Sequence, residues 1–298
     1  MTTEELEKIL ELHKKWLKND PTGKRADFKE ANLSGMDLSG VDLRGADFDH
    51  ADLQHINFSG TNLQYAIFNY AICNDANLSN AMLNQASFLY TDLRGSDLSG
   101  ANLLNAVLSN ALLQCAVLKS ANMENAELTE ANLAGADLSG ANLVRAKGKK
   151  ANFYNAVLNS TNLSSVYLYG SIFQKADLTG ANMSNTNLIG TNLRNTNLKG
   201  VLLSKANLDG ACLPDTLYQI VGSGRHNRCT TYDIINDQII CGCWNDNNGN
   251  HLTAFENRIK DVYGPKGFNP DSFHYEEYMM AIKFFKMVRK HHIQETKE

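Results

Sequence analysis

Along most of this chain the apolar residues recur neither at every second position, as on a half-buried strand, nor at every third and fourth, as on a helix. From Ala26 to Asp215 the period is five, clearest in ADLSG at Ala136 to Gly140 and ANLSN at Ala76 to Asn80. The run is 190 residues long, or 38 units without a register slip. Inside each unit the pattern is a short alternation. In Ala131-Asn132-Leu133 the small first residue and the large third one share one side, and the Asn points the other way. Ala and Leu are therefore read as core and Asn as surface. The two remaining positions are often Ser-Gly or end in Asn, residues that tolerate positive φ and tight corners. Each unit reads as a three-residue strand and a turn, and units of this kind bury their one apolar face only by stacking into a solenoid.

These tandem units resemble the pentapeptide-repeat family. The resemblance implies a mainly β fold: a right-handed quadrilateral β-helix with four units per coil, hence about 9.5 coils and, at roughly 4.8 Å per coil, a rod about 45 Å long. The chain is expected to divide into an N-terminal capping helix at 1–25, the β-helix at 26–215 and a small C-terminal α/β cap at 216–298.

The flanks have other periods. From Thr2 to Asn19, Leu6, Ile9, Leu10, His13, Trp16 and Leu17 form one helical stripe, Thr2 with Glu5 makes a capping box, and Asp20-Pro21-Thr22-Gly23 ends the helix. Its expected place is over the open end of the rod. After Thr216, three segments read as strands, Tyr218 to Val221, Cys229 to Ile235 and Gln238 to Trp244, with Asn236-Asp237 as the turn of a hairpin. Helical spacing then returns at His251 to Tyr263 and Ser272 to His292. The segments RCTTYDI and IICGCW resemble a cap region at the C-terminal end of some bacterial and phage members of the family.

Residues twenty apart fall on one side of the rod, and three of the four sides look ordinary. One, for example, is mostly an Asn column. On the remaining side the outward position reads Asp27, Asp47, Ile67, Ser87, Val107, Glu127, Lys147, Tyr167, Asn187, Asn207, so six successive coils have given up Asp or Asn. Leu89, Lys149, Tyr169 and Ile189 join that side, His50, Tyr70 and Tyr90 share one corner column, and Tyr65 and Ile72 lie nearby. Outward apolar and aromatic groups are the mark of a contact site. The competing reading is neutral drift on a face already held by the coils above and below. The candidate partner-binding residues are Tyr65, Ile67, Tyr70, Leu89, Tyr90, Val107, Tyr167 and Tyr169. Under this face Phe28, Phe48, Phe68 and Phe88 make a core column suited to ring stacking. Gly148 stands where Leu or Phe belongs, leaving a void or an inward collapse, among the basic residues Arg145, Lys147, Lys149 and Lys150.

Charge and candidate chemistry change this picture little. The net charge is −4 and no apolar run approaches the roughly 20 residues that span a bilayer, so the expectation is a cytoplasmic chain with no membrane contact. The six cysteines, Cys73, Cys115, Cys212, Cys229, Cys241 and Cys243, have no disulfide-framework spacing. Cys229, Cys241 and Cys243 with His226 lack the usual Cys-x2-Cys zinc knuckle. No spacing supports a cysteine nucleophile, and GSGR at Gly222 to Arg225 is weak as a phosphate loop. Catalysis, a metal and a cofactor are therefore not expected. The basic group lacks interleaved aromatic residues apart from Tyr167 and Tyr169, which argues against direct nucleic-acid binding.

What remains is a binding protein: a rod and its C-terminal cap engaging a protein partner, a homodimer being possible but unsupported. The resemblance supplies an alternative, since some members imitate duplex DNA and occupy the DNA site of type II topoisomerases, giving fluoroquinolone resistance. A duplex is charged evenly along its length. Here Ala26 to Gly100 carries 10 acidic against 3 basic residues, net −7, and Ala101 to Asp215 carries 7 against 9, net +2. A third reading keeps the rod as scaffold and gives specificity to the cap.

Overall fold

In a computed structural model the described residues are 1–203, 205–214, the three strands of the C-terminal region, and Glu256, Asn257, Ile259, Lys260, Met279, Ile282, Lys283, Phe285 and Lys286. From Asp27 to Cys212 the outward residue of each unit bridges in parallel to the residue twenty positions on: Asp27 to Asp47, Asp47 to Ile67, and so on. Twenty residues are four units, so each coil has four sides.

The backbone is largely self-satisfied, and four of the five positions in the unit each donate their own main-chain bond. The third residue donates to the next coil (Phe28 N to Asp47 O, 2.7 Å) and the second to the previous one (Asp47 N to Ala26 O, 3.0 Å). The fifth also reaches the next coil (Glu30 N to Asp49 O, 2.9 Å), and the first closes the turn (Ala31 N to Phe28 O, 3.1 Å). Only the N–H of the fourth residue lacks a main-chain acceptor. An Asp or Asn at the second position supplies one through its side chain, as Asn142 does for Val144 N at 3.3 Å. This is why the outward column is so rich in Asn and Asp.

Every fifth residue from Glu30 to Gly210 has a positive φ, the conformation a tight turn demands of its second central residue. Inside, the first and third residues are buried along the column except near its two ends, where Ala31, Met36, Val41, Ala206, Ala211 and Leu213 are half-buried, and where Thr replaces Ala its hydroxyl is satisfied, as by Thr61 Oγ1 donating to Leu38 O at 2.7 Å. The Phe column stacks as expected, with Phe28, Phe48, Phe68 and Phe88 at centroid separations of 5.0, 4.8 and 4.7 Å, close to the coil spacing.

α1 spans Thr3–Leu17, with the expected reciprocal box between Thr2 and Glu5. It ends with Asn19 at φ 57, and the chain then turns back so tightly that a Cβ on Gly23 would lie 2.1 Å from Trp16 N. Leu6, Ile9 and Leu10 pack on the core beside Ala31, Met36 and Val41. His13 is buried, and its Nδ1 accepts the Ala26 N–H at 3.0 Å. The helix thus plugs the apolar end of the column. It does not cover the ladder itself: the outward N–H groups of Asp27, Asn32, Asp37 and Asp42 have no protein acceptor among the described residues.

Beyond the coils, β1 (Leu217–Ser223), β2 (Arg228–Asp233) and β3 (Gln238–Cys241) form an antiparallel sheet in that order. Leu217 pairs with Asp233, and Thr230 with Cys241. The expected Asn236-Asp237 turn lies outside the described residues, as do His226, Cys243 and most of the two expected helices. Of those helices, Glu256 to Lys260 and Met279 to Lys286 contribute helical residues, with Ile259, Ile282 and Phe285 buried. Glu256 joins the two segments by pairing with Lys286 as well as with Lys260, the latter at 2.7 Å.

Candidate interaction face

The non-conforming side is a physical departure as well as a compositional one. In its regular coils the fourth-position N–H is capped, by Asp27, Asp47, Asn187 and Asn207. Where Ile67, Val107, Glu127, Lys147 and Tyr167 replace them, the N–H groups of Asn69, Ser109, Thr129, Lys149 and Tyr169 meet no protein acceptor among the described residues. Ser87 is the one exception, because Asn69 Oδ1 reaches across to cap Leu89 N at 3.1 Å. Free donors therefore stand at four successive levels, Ser109, Thr129, Lys149 and Tyr169.

The candidate residues separate into two groups along this side. In the first, His50, Tyr70 and Tyr90 stack in one corner column at 4.9 and 5.2 Å. Tyr65 stands at the other corner of the same side, across Ile67, and Gln85 Nε2 donates to its hydroxyl at 3.4 Å. In the second, Tyr167 and Tyr169 lie 6.4 Å apart. The five tyrosines are exposed, from 40% at Tyr167 to 57% at Tyr65, whereas Ile67, Leu89 and Val107 are half-buried. Five coil steps separate the levels of Ile67 and Tyr167, about 24 Å at the usual strand spacing.

Tyr65, Tyr70 and Tyr90 have φ values of 62, 57 and 57°. Gly or Asn takes this conformation at little cost, whereas a bulky side chain loses up to about 1–2 kcal/mol there. Rings at such positions are unfavourable for folding.

The sequence reading of the adjacent side as ordinary needs correction. Its outward residues Ile72, Leu112 and Ile172 are exposed, and so is its Tyr154, over whose ring Lys175 Nζ lies at 5.5 Å. Comparing one column at a time stops at each corner, but a real partner would see both sides of the corner at once. Ile72 extends the first tyrosine group around it, and Tyr154 and Ile172 extend the second.

The basic residues are mostly neutralised. Lys147 pairs with Glu127 at 2.5 Å, Lys150 with Glu130 at 3.7 Å and Arg145 with Glu124 at 3.9 Å, each across one coil. Only Lys149 of the four makes no ion pair among the described residues. Nor does Gly148 distort the rod. Its N–H still donates to Tyr167 O at 2.8 Å, and the expected void is filled because Leu168 leans into it, so that a Cβ there would meet Leu168 Cδ2 at 3.0 Å.

No cluster of His, Cys, Asp or Glu among the described residues is arranged to hold a metal ion, and none of their helices is long and apolar enough to cross a membrane. Cys73 is fully buried, and desolvation raises its thiol far above the usual range, so it acts as a small apolar side chain.

Comparison with known proteins places this geometry. The pentapeptide-repeat family profile matches eight copies, in segments running from 26–64 to 181–217. Among solved structures, HetL, a pentapeptide repeat protein involved in heterocyst differentiation regulation in the cyanobacterium Nostoc sp. strain PCC 7120, is 32% identical. That match covers 67% of this chain and 96% of HetL, with a TM-score of 0.35. QnrB1, a plasmid-mediated fluoroquinolone resistance protein, is 21% identical over 62% of this chain and 83% of its own, with a TM-score of 0.32. A pentapeptide repeat protein of the Arabidopsis thaliana thylakoid lumen is 27% identical over 45% and 68%, with a TM-score of 0.17. No curated protein matches. With the profile spanning well over half of the residues and the five-residue ladder visible coil by coil, the chain belongs to the pentapeptide-repeat family.

Proposed function

We propose that this chain, divided at 1–25, 26–215 and 216–298, is a non-enzymatic interaction protein. Its β-helix is a rigid scaffold that engages a protein partner through the corner bearing the tyrosines, and its C-terminal cap makes a second contact. One observation carries the reading: Tyr65, Tyr70 and Tyr90 set exposed rings at left-handed positions where Gly or Asn would fold better. Amphipathic rings of this kind are enriched among interface hot spots.

The test is capture of partners by the native chain, by the Tyr70→Ser, Tyr90→Ser, Tyr167→Ser triple variant and by a chain ending at Asp215. Binding lost in the folded triple variant supports the face. Binding unchanged in that variant and lost on truncation shifts the contact to the cap, and binding unchanged in both removes the proposal. The DNA-mimic alternative makes a separate prediction, inhibition of topoisomerase supercoiling at micromolar protein. The confinement of acidic excess to the first half stands against it.

A further inference from the structure

Two levels that carry exposed aromatic groups bound the corner, five coil steps apart. Starting at the Ile67 level and moving toward the C-terminus, the corner and its two flanks carry Ile67, Tyr70 and Ile72, then Leu89 and Tyr90, then Val107, Ser109 and Leu112. The Glu127 and Glu130 level follows, then Lys147, Lys149 and Lys150, and finally Tyr167, Tyr169 and Ile172. The two aromatic levels are thus equidistant from the step between Val107 and Glu127. Building on the proposed interaction face, we infer that its partner is a second copy of this chain, laid antiparallel against the first about a two-fold axis at that step.

Four features of the surface fit this occupant. Turning the second copy about the axis sets Tyr167 and Tyr169 of one rod at the level of Ile67 and Tyr70 of the other, so both exposed aromatic groups are covered together. Lys149, which has no ion pair among the described residues, comes to the level of Tyr90, where an ammonium over a ring face is favourable. The Glu127 and Glu130 level meets that of Ser109, whose N–H has no protein acceptor among the described residues; each carboxylate already pairs with a lysine of its own chain, and an oxygen of either can accept this N–H in addition. Finally, the antiparallel arrangement sets the acidic half of each rod, net −7, beside the slightly basic half of the other, net +2; a parallel one would set acidic against acidic. Both rods carry the same coil repeat, so a match made at one level recurs at the next. Six levels at roughly 4.8 Å and the side chains flanking one corner amount to a few hundred Å² per copy, the size of a weak and reversible contact.

Sedimentation velocity of the full-length chain from about 1 to 100 µM reads the association. The expected result is a reversible dimer at the upper end, weakened at least tenfold by Tyr70→Ser with Tyr167→Ser. A photo-crosslinking benzoyl-phenylalanine placed at position 70 is expected to attach to the partner copy near Tyr167 and Tyr169. A cross-link from position 70 to its own counterpart, or a dimer unmoved by the double variant, overturns the antiparallel corner. A chain that stays monomeric at 100 µM overturns the second copy as partner. If that monomer still captures a different protein through the tyrosines, the interaction face itself survives, so the two failures are distinguishable.

Discussion

At the scale of single residues, the solenoid shows how much one position in five can differ from its neighbours in what it must do. The second residue caps a donor, the fifth takes a left-handed turn, and the first and third fill the core, so a departure has a different consequence at each. Gly148 is instructive because the sequence shows the missing side chain but cannot show what replaces it. Leu168, one coil on, uses the space. Leu168→Ala should therefore cost about 2–5 kcal/mol, as large-to-small core changes do. Gly148→Leu alone should cost about 1–3 kcal/mol through overpacking. Together they should cost clearly less than their sum, because the new leucine refills the cavity; denaturant unfolding of the four proteins reads the coupling. Strict additivity would show that Leu168 does not occupy the Gly148 space. The outward positions were legible as exceptions from the sequence, whereas the backbone N–H left without its side-chain acceptor at all of them but Ser87 was not.

Among the elements, α1 was the most legible flank. Its stripe, its capping box and its position over the rod follow from Leu6, Ile9, Leu10, Thr2 and Glu5. What the stripe could not convey is that His13 works as a polar cap, its unprotonated Nδ1 holding the first N–H of the rod. Burial pushes the His13 pKa below its ordinary value, with a smaller opposing effect from Asp42. The native chain thus binds fewer protons than the unfolded one as pH falls below the unfolded value of 6.5, and the difference is a loss of stability. The cap's contribution should be complete above that value and disappear as pH falls through the lower native pKa. Trp16, stacked 5.3 Å from His13, can report it by fluorescence in a Trp244→Phe background. His13→Asn keeps an acceptor that does not titrate and should flatten the transition. If it leaves the transition in place, His13 is not its source. The C-terminal strands were also legible: β1, β2 and β3 fall on the three expected segments, and their antiparallel pairing supplies the register that local pattern does not.

For the whole molecule, the repeat makes length and rotation separable. Removing residues 111–130 takes out one coil and should leave every column aligned, whereas removing 111–125 turns everything after it by one side. Both variants should keep their β circular dichroism and melt cooperatively, because each unit contacts only its neighbours. Only the first keeps the two tyrosine groups on one corner, so the second should lose partner binding while staying folded. Retention of binding by the rotated variant would mean that the tyrosine groups do not act together, and unfolding of both would contradict the modular rod. The amino-acid sequence by itself determined the unit: a five-residue pattern without a slip is a short strand and a turn that must stack to bury one apolar face, the four-sided coil being what the family resemblance implied, and its side-chain chemistry follows position by position. Which departures stand together was decided by the tertiary structure. Ile72, Tyr154 and Ile172 join the tyrosines only because two sides meet at a corner, and Lys147 and Lys150 are quenched only because Glu127 and Glu130 lie one coil below. Those neighbours are twenty residues away or on another side, and only the stacking of coils brings them within reach.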